Sequence, residues 1–111
     1  MKKLLVISNH DVKNWSEDQK KDWDTIKYVP FPNIDPYKGI NDLIYEIDFI
    51  CNEINEFVNL CNAEGNTPHI CLQGEFSVCY NVFVAYAEAQ IKFVFPTTER
   101  REGKFEFVRW R

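Results

Sequence analysis

Lys3-Leu4-Leu5-Val6-Ile7-Ser8-Asn9-His10-Asp11 is the stretch whose reading decides the fold. Its apolar run is continuous rather than alternating, the pattern of a strand covered on both faces in a parallel sheet. The run stops at four polar residues, which mark the strand's carboxyl end. Four apolar residues behind Met1-Lys2-Lys3 are too few for a signal-peptide core or a membrane span, so the chain is expected in the cytoplasm.

Downstream, the same α/β alternation repeats. Ser16 with Gln19 three residues on is a capping box that opens a short helix to about Trp23, and Thr25 to Val29 follows as a second strand closed by Pro30-Phe31-Pro32. After a loop at Asn33 to Lys38, Ile40, Leu43, Ile44, Ile47, Ile50, Cys51, Ile54, Phe57, Val58 and Cys61 recur every three or four residues. That spacing predicts a long helix with one apolar stripe, ended by Gly65. His69 to Leu72 predicts a third strand, Phe76 to Gln90 a helix, and Ile91 to Phe95 a fourth strand. Beyond the polar segment Pro96 to Arg101, Lys104 to Trp110 alternates charged and aromatic residues, as an antiparallel strand does. The order is β-α-β-α-β-α-β-β. It predicts one domain over residues 1–111: a small, doubly wound, Rossmann-like, mostly parallel sheet in the order 2-1-3-4, with helices on both faces and the last strand antiparallel at the edge.

Composition narrows the function classes. Thirteen Lys and Arg against seventeen Asp and Glu give a net charge of -4, a poor surface for long nucleic acid. The charge is uneven, however. Asp35 to Asn66 holds seven acids and one base, whereas Pro96 to Arg111 holds five bases and three acids, so a short anionic ligand is allowed. Cys51, Cys61, Cys71 and Cys79 lie 10, 10 and 8 residues apart with no CxxC pair, a spacing that predicts buried thiols in a reducing compartment rather than a zinc site. Gly39, Gly65, Gly74 and Gly103 are too dispersed for GxGxxG or a P-loop. HExxH and GxSxG are also missing.

In a doubly wound sheet a ligand sits beyond the carboxyl ends of the strands where the winding reverses, here between the first and third. That rule selects Ser8-Asn9-His10-Asp11, Gln73-Gly74-Glu75-Phe76 and Thr97-Thr98-Glu99-Arg100-Arg101. Each residue has a functional and an ordinary reading. Ser8 holds a phosphate or nucleophile, or simply ends its strand. His10 is an acid or base near neutral pH, or an idle loop histidine. Gly74 admits a ligand or makes a plain turn, and Phe76 with Tyr80 stacks on a base or packs in the core. Arg100 and Arg101 grip phosphate or are solvated.

Together, Leu4-Leu5-Val6-Ile7-Ser8, Leu72-Gln73-Gly74-Glu75-Phe76, and Phe95-Pro96-Thr97-Thr98-Glu99-Arg100-Arg101 with Phe105-Glu106-Phe107-Val108-Arg109 resemble the CARF-like proteins of CRISPR systems, specifically the small stand-alone ring nucleases of the Csx type. The resemblance implies a single CARF-like domain that pairs as a homodimer around one cyclic oligoadenylate, such as cyclic tetra-adenylate. It also implies cleavage without metal or cofactor, by attack of a ribose 2'-hydroxyl on the adjacent phosphate. On that basis Ser8, His10 and Arg100 are the catalytic candidates. Asn9, Gln73, Gly74, Glu75, Phe76, Thr97, Thr98 and Arg101 are the ligand-binding ones. The chain departs from the pattern at Glu75 and Ser77 and has no lysine in these loops. A second class therefore stays open: a module that senses or sequesters the same ligand without cleaving it.

Overall fold

A computed structural model describes all residues, 1–111. Four parallel strands, β1 (Lys3–Ser8), β2 (Thr25–Pro30), β3 (His69–Gln73) and the two-residue β4 (Lys92–Phe93), form one sheet in the order β2-β1-β3-β4. Three helices connect them: α1 (Glu17–Lys20), α2 (Ile44–Ala63) and α3 (Phe76–Ala85). This is the α/β, Rossmann-like architecture that the sequence predicts, with the expected strand order.

β1 is the centre of the molecule. Leu4, Leu5, Val6 and Ile7 are each 0% exposed, and each buried side chain contributes roughly 1.5–3 kcal/mol. Leu5 and Ile7 face the larger core, where Ile50, Ile54, Phe57 and Cys61 of α2 and Val78, Cys79 and Val82 of α3 cover them. Leu4 and Val6 face the other way and join Cys71 beneath Trp15, Trp23 and Trp110. From Ile47 to Cys61 the apolar stripe of α2 is core-facing, whereas Ile40 and Ile44 at the start of the stripe are exposed, and the helix ends in a Schellman cap: Gly65 has φ +74, its N–H donates to Asn62 O, and Asn66 N–H donates to Cys61 O. Ser16 caps α1 as expected, its Oγ accepting from Gln19 N–H. All four cysteines are free thiols; Cys61, Cys71 and Cys79 are buried, and burial pushes the Cys71 thiol up to about 12.

Five segments differ from the sequence reading: α1 ends at Lys20 rather than near Trp23, α2 begins at Ile44 with Ile40–Asp42 as a separate 3-10 turn, and three more lie in the C-terminal half. α3 stops at Ala85, because Tyr86 N–H reaches both Val82 O and Phe83 O and the chain continues through tight turns to Gln90. β4 is shorter than Ile91 to Phe95, because Phe95 leaves the sheet and exchanges both backbone bonds with Arg111, each 2.8 Å. The last strand is antiparallel but is not the edge of the main sheet. β5 (Pro96–Arg101), in a segment read as a polar loop, pairs with β6 (Lys104–Trp110) to form a separate two-stranded ribbon. That ribbon covers the α1 face: the Trp110 ring centroid lies 5.3 Å from Trp15 and 5.4 Å from Trp23, and its Nε1–H donates to Gln19 O at 2.9 Å. α1 has only four residues and buries none of them, so it cannot cover Leu4 and Val6 alone.

Trp110→Ala is expected to cost about 2 kcal/mol, below the ~3–5 kcal/mol of a fully buried aromatic because the ring is only half-buried. Hydrogen exchange should then accelerate through β5 and β6 first, while the amides of β1 and β3 stay protected; uniform acceleration across the chain would contradict the ribbon's role as a separately docked layer.

Candidate functional site

The winding reverses at β1, whose neighbours β2 and β3 leave it in opposite directions. At its carboxyl end Ser8 stands opposite Gln73 in register, and Asn9 N–H donates to Gln73 O at 3.3 Å. Ser8, Asn9, His10, Gln73 and Gly74 are thus brought together as the crevice rule requires, with Asn9 and His10 exposed and Gln73 and Gly74 half-buried.

The groups in this crevice are heavily used by the chain itself. Ser8 is 1% exposed, and its Oγ accepts from His10 N–H at 3.0 Å, the bond of a strand-end turn. The Ser8 carbonyl accepts from Phe31 N–H at 2.9 Å and from the Tyr28 hydroxyl at 3.1 Å. Phe31, held between Pro30 and Pro32, reaches across the end of β1 to Gly74. A Cβ built on Gly74 would lie 2.4–2.6 Å from three atoms of that ring. Glycine is required there, and the group that approaches it is Phe31. Sequence reasoning missed Phe31 and Tyr28. The bare glycine after β3 was the only local signal that something comes close, and it does not say what.

Glu75 occupies the amino end of α3. Its carboxylate accepts from Ser77 N–H at 3.1 Å, Val78 N–H at 2.9 Å and the Ser77 hydroxyl at 2.7 and 2.6 Å. The Ser77 hydroxyl first, then the Val78 N–H, hold its pKa below the ordinary value of 4.5. The helix terminus that would attract a phosphate is thus already supplied with an anion. Ser77, where the sequence departs from the resemblance, is part of that cap. Beside it Phe76 is 90% exposed and, four residues on, Tyr80 is 67% exposed, so these two rings are surface groups and not core.

The third loop is organised differently. Thr97, Thr98, Arg100 and Arg101 lie on β5, where Thr97 Oγ1–H donates to Arg109 O at 2.8 Å and Arg101 pairs with Glu99 and, at 3.8 Å, with Glu106. Arg100 faces Phe105 across the ribbon and has no ion pair of its own. No hydrogen bond or ion pair joins this group to Ser8 or Gln73 within the chain. The cleft lined by Asn55, Asn62, Tyr86 and Gln90 includes none of these loop residues, and no cluster of three His, Cys, Asp or Glu side chains is arranged to hold a metal ion. The chain also has no helix long and apolar enough to cross a membrane.

A family model, described as the uncharacterized protein MJ1673 family, matches residues 2–111, so the chain belongs to that family. No curated protein and no solved structure matches it.

Two outcomes follow from this geometry. Gly74→Ala should lose about 1–3 kcal/mol in a urea titration by overpacking, and much less in a Phe31→Ala background, where the obstructing ring is gone; an equal loss in both backgrounds would rule out the contact. For Glu75 the folded pKa is depressed, so its contribution to stability is present above the unfolded value and is lost as pH falls through the folded one. Thermal melts of Glu75→Gln should therefore fall less steeply below pH 4.5 than those of the parent chain.

Proposed function

We propose that this member of the MJ1673 family binds a cyclic oligoadenylate over the carboxyl edge of its parallel sheet and linearises it, switching off type III CRISPR signalling in the cytoplasm. The observation that carries the reading is Phe76, whose ring is almost wholly in water and which, as the first residue of α3, comes three residues past Gln73, the in-register partner of Ser8. An aromatic ring held out at a switch point is a platform for a base, with Tyr80 on the same helical face. In the reaction the ribose 2'-hydroxyl gives up its proton as its oxygen bonds to phosphorus, the 5'-oxygen of the next nucleotide leaves and takes up a proton in its place, and a linear product with a 2',3'-cyclic phosphate results. Asn9, His10 and Gln73 are the free polar groups at that edge, and Arg100 supplies a cation with no competing carboxylate partner.

The ligand is enclosed by two copies of the chain. A compact chain of 13.2 kDa exposes about 6,400 Å², whereas this one exposes 7559 Å². The excess is on the order of 1,100 Å², comparable with the ~800 Å² that each partner loses in a standard interface. Exposed apolar groups other than the stacking pair are available for that contact: Val84 on α3, and Phe105 and Val108 on the ribbon.

A second reading is a module that binds the ring without opening it. It is favoured by the engagement of the Ser8 hydroxyl with His10 N–H and by the Glu75 carboxylate at the head of α3, which leave fewer groups for chemistry.

Incubation with cyclic tri-, tetra- and hexa-adenylate in EDTA, followed by chromatography, separates the two. The enzyme reading expects linear products ending in a 2',3'-cyclic phosphate. An intact ring with a thermal shift supports the binding module, and no shift with any ring overturns both. Phe76→Ala should weaken binding by roughly 1–3 kcal/mol for one stacked base with no loss of melting temperature, and light scattering should give a dimer.

A further inference from the structure

A cleft of about 520 Å³ opens at the amino edge of the sheet, opposite the switch point. It lies between the second half of α2, the turn that leads into β3 and the link from α3 to β4, and its volume is that of a small-molecule site. Its chemistry is unusual for so acidic a chain: none of the eleven lining residues carries a carboxylate, amine or guanidinium. Asn55, Asn62, Asn66 and Gln90 contribute four carboxamides, and Val58 and Ile91 contribute apolar surface. Tyr86 is the one titratable group, and burial first of all pushes its phenol up to about 12, so it is uncharged at neutral pH.

The hydrogen bonds around the cleft leave donors and acceptors free. Asn55 Oδ1 lies 2.7 Å from the Tyr86 hydroxyl, which also lies 3.1 Å from Cys51 O. With its oxygen engaged there, Asn55 keeps its amide N–H pair for the cleft. The side chains of Asn62, Asn66 and Gln90 make no hydrogen bond within the chain. Two helix carboxyl ends, those of α2 and α3, converge on this edge and carry partial negative charge, which disfavours phosphate and carboxylate. The lack of acids removes the charge-assisted grip that a cation needs.

From this arrangement we infer that the cleft is a binding site for an uncharged nucleobase, carried by a nucleoside, separate from the carboxyl-edge site. A carboxamide presents a donor and an acceptor side by side, which matches the edge of a base; Asn and Gln pair in two-pronged fashion with adenine. Val58 and Ile91 pack against the faces of the ring. Adenosine is the first probe, because it offers that edge without a phosphate.

The test is NMR titration of the intact protein with adenosine, following the side-chain NH₂ resonances of Asn62, Asn66 and Gln90. These should shift with a Kd of about 1 mM or tighter, adenosine should bind better than AMP, and the shifts should persist in Phe76→Ala, where stacking at the other edge is lost. Asn62→Ala with Gln90→Ala, both at exposed positions, should weaken adenosine binding about tenfold or more with an unchanged melting temperature. The inference is overturned if those resonances do not move, if they move with glucose and not with adenosine, if AMP binds more tightly, or if Phe76→Ala abolishes the shifts. None of these outcomes bears on the ring assay, so the two sites stand or fall separately.

Discussion

No side of β1 faces water, and this constraint organises the protein. A strand with Leu5 and Ile7 on one face and Leu4 and Val6 on the other must be covered twice. β2 and β3 satisfy its backbone groups, α2 and α3 cover one face, and the second face is left to a helix of one turn. The ribbon makes up the deficit. Trp110, wedged between Trp15 and Trp23 and bonded to Gln19 O, completes a layer that in a larger doubly wound domain a full helix would supply.

The parts legible in the sequence are those whose partners are implied by a local pattern. An unbroken apolar run states that β1 has two covered faces, and an apolar residue at every third or fourth position states that α2 has one. Strand order followed from connection rules alone. The ribbon was half legible: the alternation of Lys104 to Trp110 states an antiparallel strand, but its partner Pro96–Arg101 is polar because most of it remains in water, and polarity reads as loop. Phe31 was illegible for another reason. Its role depends on a glycine 43 positions along the chain, and the flanking prolines announce only that β2 ends.

The two edges of the sheet differ in chemistry. At the carboxyl edge the chain has spent its strand-end groups on itself: the Ser8 hydroxyl on a turn, Gly74 on Phe31, the head of α3 on Glu75. What remains outward is aromatic surface and the loop groups Asn9 and His10. At the amino edge the reverse holds, since the carboxamides of Asn62, Asn66 and Gln90 have no partner within the chain and charge is absent from the lining. A resemblance carried by the carboxyl-edge motifs says nothing about this second edge, which only the assembled helices create.

The Trp110–Gln19 bond also sets the order in which the molecule can be built. It joins residues 91 positions apart, and the loop it closes is among the longest that the chain can make. α2 and α3 with β1 and β3 can collapse first, because the larger core does not involve the ribbon. Until the ribbon docks, Leu4, Val6 and Cys71 lack the Trp110 part of their cover and have only Trp15, Trp23 and their neighbours over them, an incomplete apolar layer that invites contact with other unfinished chains. Closure of long loops is slow relative to local collapse. The rate at which one tryptophan finds its two fellows should therefore divide the yield of refolding between native protein and aggregate.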